Sequence, residues 1–361
     1  MSTTPIGDHA LISDCRSAAL VHRGGSVEWL CWPRVDAPSI FGRLLDPSAG
    51  HWSIAPVSDA SVERRYVDRT MVLETTFTTP SGTVSVTDAL ATGSGERGHQ
   101  LGHRSPRLLI RRVTGVAGAV EVALELVVRP EYGLVTPVVV RFDGGVRLQG
   151  GPNVMALSTP VPVTVADGRI TARFTIAVGE SLSFGLHHRS TDEPAPRASS
   201  QAELNRRLNG TMATWRSWAR LHQRYEGPWR HLVHHSGRVL QALTFAPTGA
   251  IAAAPTTSLP ESVGGGRNWD YRYSWVRDAS FTVDALWVAA CPDEADAFFT
   301  YMATSAAAQV RRGGDLQIMF GVGGEHDLTE RELPHLSGWR DSRPVRIGNG
   351  AWDQRQLDVC G

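Results

Sequence analysis

The first half of the chain alternates in polarity. Val120, Val122, Leu124, Leu126 and Val128 are interleaved with Glu121, Ala123, Glu125 and Val127. Ile170, Ala172, Phe174, Ile176 and Val178 are interleaved with Thr171, Arg173, Thr175 and Ala177. A strand turns successive side chains to opposite faces, so each run presents one apolar face to a core. Asp143-Gly144 and Asp167-Gly168 sit between such runs, and a two-residue hairpin needs residues that tolerate positive φ. Arg23-Gly24-Gly25-Ser26 reads as an earlier turn of the same kind. Many short antiparallel strands between about residues 10 and 190 predict a β-sandwich rather than a βαβ layout.

The period changes after Ser190–Ser200, a linker by its Pro and Ser content. Leu204, Leu208, Met212, Trp215 and Ala219 then share one face of a helix over 201–222. Trp229, Leu232, Val233, Val239, Leu240 and Leu243 do so on the next helix. Further helices are predicted over 278–290 and 293–311, the second opening on Pro292-Asp293-Glu294, and a last one near Ala351. The chain therefore divides into a sandwich (1–190), a linker with its helix (191–225) and a helical region (226–361), an α+β multidomain protein.

Composition narrows the function. With 361 residues, 42% hydrophobic and 20% charged, the chain is long enough for two domains with cores of their own. Its formal net charge of zero argues against nucleic acid or an anionic membrane as partner. Every basic side chain is Arg, which the codon usage of a GC-rich genome explains more simply than ligand recognition. Cys15, Cys31, Cys291 and Cys360 show no C-x-x-C spacing, and His187–His188 and His234–His235 do not converge on one site. No cofactor or metal is expected, and no P-loop, dinucleotide fingerprint or H-E-x-x-H occurs. The start lacks the basic and apolar regions of a signal peptide and no stretch reaches the length of a membrane span, so the expected setting is cytoplasmic, with reduced thiols.

The segment Glu261–Ala279, E-S-V-G-G-G-R-N-W-D-Y-R-Y-S-W-V-R-D-A, concentrates aromatic, Arg and Asp side chains behind a run of Gly. Flat rings that stack and forked groups that bind hydroxyls suit a polyhydroxylated ligand. A rigid loop whose Arg and Asp pair with each other would use the same residues.

This segment resembles the signature of glycoside hydrolase family 15, the glucoamylase and trehalase-like enzymes. Other stretches resemble the family in the same order: Ile6–Val21 and Gly24–Phe41, Ala246–Pro260, Leu316–Gly321 and Ser342–Gly350. The likeness implies a trehalase-like N-terminal β-sandwich followed by the first part of an α/α barrel of six helical hairpins. It also implies inverting hydrolysis of an α-glucosidic bond in a small carbohydrate, trehalose or a short maltooligosaccharide.

That reaction needs a carboxylic acid and a carboxylate base roughly 6.5–9.5 Å apart. In the family both are Glu, and both lie beyond the motifs matched here, so the catalytic pair is expected to be missing from this chain. Among Glu226, Glu261, Glu294, Glu325, Glu330 and Glu332, only Glu325 lies in a loop expected to border the pocket. Sugar contacts carried over from the family are Arg277 and Asp278 with Trp275 alongside, and Trp339 and Arg340 in a second pocket loop. The alternatives are an N-cap role for Asp278, an ion pair for Arg277 and loop packing for Trp339 and Arg340. Arg343 and Arg346 are weaker candidates, and Asn268, Trp269 and Asp270 are expected to brace the loop.

A barrel cut after about four helices would expose inner apolar faces. The sequence leaves open a fragment of a longer enzyme, a remnant that self-associates through the open side, and an inactive sugar-binding or interaction protein.

Overall fold

The computed structural model describes residues 4–289, 291–311 and 317–356. Two antiparallel sheets face each other across the N-terminal region. One contains His9–Ser13, Ala18–His22, Ser26–Cys31, Ser39–Phe41, His51–Pro56, Thr164–Ala166 and Arg169–Ala177. The other contains Ser61–Tyr66, Leu73–Thr79, Gly82–Leu90, Val138–Phe142, Gly145–Gly150, Asn153–Ser158 and Ser181–Ser190.

The long strand Leu108–Val127 belongs to both. Its first half pairs with Gly82–Leu90 and Ser181–Ser190, and its second half with His51–Pro56 and Arg169–Ala177. The passage between sheets runs through Gly118, whose φ is +62° and whose missing Cβ would stand 2.2 Å from the Ser81 carbonyl oxygen. Only Gly fits there.

Alternation supplies the core. Trp52, Ile54, Val122 and Leu124 from one sheet meet Val84, Val86, Val113 and Leu157 from the other, all buried. The hairpins at Asp143-Gly144 and Asp167-Gly168 close as predicted, with Phe142 opposite Gly145 and Ala166 opposite Arg169.

Helix α1 spans Gln201–His222, and the Ser200 hydroxyl accepts the Glu203 N–H at 3.2 Å to cap it. Leu204 and Leu208 pack on Val72, Ala89 and Ile110 of the sandwich. Trp215 and Trp218 pack on the helical side, with Phe298 and Leu286. Helices α2 (Arg230–Ala242), α3 (Val276–Val288) and α4 (Pro292–Val310) follow. Near Ala351, where a further helix was predicted, residues 351–353 form a turn, and the stretch after residue 356, with Cys360, lies outside the described residues.

The two regions are tied together. Ser13 donates to the Ala242 carbonyl at 2.7 Å, and Trp29 Nε1 to that of Pro255 at 2.7 Å. Among the described residues no helix is long and apolar enough to cross a membrane.

Candidate functional site

The segment after the glycines is built from the inside out. Asp270 and Arg272 are fully buried and paired, and Arg272 also donates to the Ala37 carbonyl at 2.8 Å and to the Tyr132 hydroxyl at 3.0 Å. Asn268 is buried and donates to the Pro344 carbonyl at 3.2 Å. These residues brace the loop, as the sequence implied for Asn268 and Asp270. Ser274–Trp275 then pairs with Met319–Phe320 and delivers the chain into α3.

Trp269 and Tyr271, which alternate with buried Asn268, Asp270 and Arg272, face a cleft of about 420 Å³. Trp269, Tyr271, Trp275, Arg277, Met319 and Glu330 line it, with Asn349 to Ala351 and Gln354 closing one side. Tyr271 and Trp275 stand 5.6 Å apart, ring centre to ring centre. The Arg346 guanidinium lies 4.7 Å over the Trp269 ring and 3.0 Å from a Glu330 oxygen. The other Glu330 oxygen accepts the Gly350 N–H at 3.2 Å. Arg277 and Asp278 sit at the start of α3, 3.6 Å apart and 40% and 50% exposed.

Trp339 and Arg340 are placed elsewhere. Trp339 packs with Trp29, Leu44, Leu45 and Val345, and its indole donates to the Thr4 carbonyl at 3.0 Å. The Arg340 guanidinium covers that ring at 4.5 Å. Neither lines the cleft that holds Trp275 and Arg277. Glu325 is also off it: Arg34 grips it at 2.7 Å, and the Gly323 N–H donates to it at 2.9 Å. Burial opposes its charge, but these bonds hold its carboxyl below the usual range.

Residues 228–361 match the model of glycosyl hydrolases family 15, and residues 1–213 match that of the trehalase-like N-terminal domain. The chain belongs to glycoside hydrolase family 15. A trehalase of Mycolicibacterium smegmatis is 38% identical over 379 residues, covering 99% of this chain and 56% of that protein. A trehalase of Mycobacterium tuberculosis is 38% identical over 376 residues, covering 99% and 55%. Trehalase 1 of Sulfolobus acidocaldarius is 32% identical over 363 residues, covering 99% and 58%. The chain thus spans a little over half the length of the curated relatives it matches.

In this family 15 chain, the sequence does not single out Tyr271, Met319, Glu330, Asn349, Ala351 or Gln354 as cleft residues, and it points to Trp269 as a brace rather than as part of the wall. The signal for Trp269 and Tyr271 was available: each lies two residues from its neighbour in the series 269, 271, and alternates with buried Asn268, Asp270 and Arg272. Glu330 had no such signal. It reaches the cleft through a short pairing of Arg331–Glu332 with Arg346–Ile347.

Proposed function

We propose that the cleft around Trp275 seats one glucose unit of an α-glucoside, and that the protein serves the inverting hydrolysis of trehalose or a short maltooligosaccharide. The observation that carries this reading is the convergence of an aromatic wall, Arg277 and Glu330 on one cleft of about 420 Å³. Pockets for small ligands run from roughly 300 to 1,000 Å³. The rings of Tyr271 and Trp275 offer faces to a pyranose, while the guanidinium and carboxylate bind its hydroxyls. Asp278, beside Arg277, would take a further hydroxyl.

Inversion also requires a proton donor and a base on opposite faces of the sugar. Glu330 is the one carboxylate among the described lining residues, and its ion pair with Arg346 suits an acceptor of hydroxyls rather than a proton donor. We therefore propose that the 361-residue chain binds its sugar without turnover. Helices α2 to α4 are then the opening of the family's α/α barrel. The second reading, an inactive sugar-binding or interaction protein derived from such a hydrolase, shares this cleft.

Calorimetric titration with trehalose and glucose tests the seat, and glucose release from trehalose tests turnover. Saturable binding that Arg277→Ala weakens at least about tenfold, without glucose release, is the expected result. Turnover that disappears in Glu330→Gln would overturn the assignment of Glu330 as a mere binder. Unchanged binding in Arg277→Ala would overturn the cleft itself.

A further inference from the structure

Away from the cleft, three segments converge. The short turn Gly98–Gln100 brings His99, the end of α1 brings His222, and the first turn of α4 brings Asp293 and Glu294. One ligand atom from each of the four lies within 4.8 Å of all the others. His222 Nε2 stands 3.1 Å from Glu294 Oε1, and His99 Nε2 stands 3.6 Å from Asp293 Oδ2. Ligand atoms bonded at about 2.0–2.1 Å to one tetrahedral cation stand about 3.3 Å apart, close to these two separations, so the set, spread over at most 4.8 Å, would contract slightly to share one centre.

The burial of two of the four residues favours such a centre beyond the clustering itself. The His222 side chain is 2% exposed, and its Nε2 faces Glu294 Oε1 at 3.1 Å, an ion pair that a cation bound between them would replace. Glu294, 9% exposed, has Oε2 buried and without a partner. A buried carboxylate oxygen without a donor is costly, and coordination to a cation would satisfy it. Oε1 meanwhile accepts the Trp218 indole N–H at 2.7 Å, the kind of outer bond that orients a ligating carboxylate.

We propose that His99, His222, Asp293 and Glu294 bind a divalent cation of the zinc class. Two imidazoles and two carboxylates, with no thiol, match zinc better than magnesium or calcium, which prefer oxygen throughout. The positive end of the α4 dipole opposes a cation, and two carboxylates in the first turn outweigh it. The ion staples the turn Gly98–Gln100 and the linker helix α1 to the start of α4, joining the strand-rich and helical regions. This assignment is independent of the sugar reading.

The test strips the purified chain with a chelator, dialyses it against limiting zinc chloride and counts bound metal by plasma mass spectrometry. A single equivalent of zinc per chain is expected, and its removal lowers Tm by several degrees. The double variant His99→Ala/Asp293→Asn alters only the two exposed ligands and leaves the Trp218–Glu294 bond in place. It is expected to hold zinc at least about tenfold more weakly and to lose the Tm response to chelator. Cobalt loaded in place of zinc should give visible bands that the double variant lacks. Substoichiometric zinc in the unaltered chain, or equal retention by the double variant, would overturn the proposal.

Discussion

Arg272 and Asp270 hold each other in a two-pronged ion pair sealed from solvent, with Nε and Nη2 at 2.8 and 2.7 Å from the two carboxylate oxygens. Through Ala37 and Tyr132 the same guanidinium reaches into the sandwich, so the pair anchors the loop that presents Trp269, Tyr271 and Trp275. Asp270→Ala would leave a buried guanidinium uncompensated. We predict a loss of about 3–5 kcal/mol in urea denaturation. A loss under about 1 kcal/mol would show that the pair does not anchor the loop.

Trp269 carries Arg346 on one face and borders the cleft. Trp269→Ala is predicted to weaken trehalose binding by about 0.5–1.5 kcal/mol, several-fold in Kd, which titration calorimetry reads directly. Affinity equal to the unaltered chain would remove Trp269 from the sugar wall.

The secondary structure was largely legible in the sequence, and much of the site was not. Alternation at Val120–Val128 and the apolar stripe of α1 report burial of one face, a property that local sequence encodes. Helix α3 starts at Val276, two residues before its predicted start, because Trp275 leaves a two-residue strand directly for the helix. Residues 321–350 carry no period. Which of them meet the cleft is decided by tertiary pairing, so Glu330 was missed, Glu325 was misplaced, and Trp339 ended against Trp29 of the sandwich. The His99–Glu294 cluster was equally invisible, since its members lie up to 195 positions apart in the chain (294 − 99).

His188 is buried against the Trp32 ring and bonds Asn153 Oδ1 at 2.8 Å. Burial lowers its pKa to about 3 from 6.5, and that of neighbouring His187 to about 4. The folded state therefore keeps both neutral while the unfolded chain takes up protons below pH 6.5. Stability from these groups is complete above that pH and declines as pH falls toward 3, by at most about 1.4 kcal/mol per pH unit for each proton. Denaturation midpoints measured from pH 7 to 4 should fall, and His188→Gln should flatten the decline. An identical slope in the variant would contradict the assignment.

Phe281 and Val288 on α3 are 73% and 66% exposed, as are Phe299 on α4 (67%) and Trp229 before α2 (63%). So much exposed apolar surface on neighbouring helices favours association, and we propose that copies of the chain pair through it. Sedimentation velocity should show a concentration-dependent dimer that Phe281→Glu with Val288→Glu disperses. A monomer at all concentrations would refute the pairing.

The most direct test of the central claim is diffraction from crystals of the chain soaked in trehalose. A pyranose ring against Tyr271 and Trp275, with hydroxyls within hydrogen-bond reach of Arg277 and Glu330, is the predicted result. Sugar bound only at a different surface, with this cleft filled by solvent at saturating ligand, would contradict it.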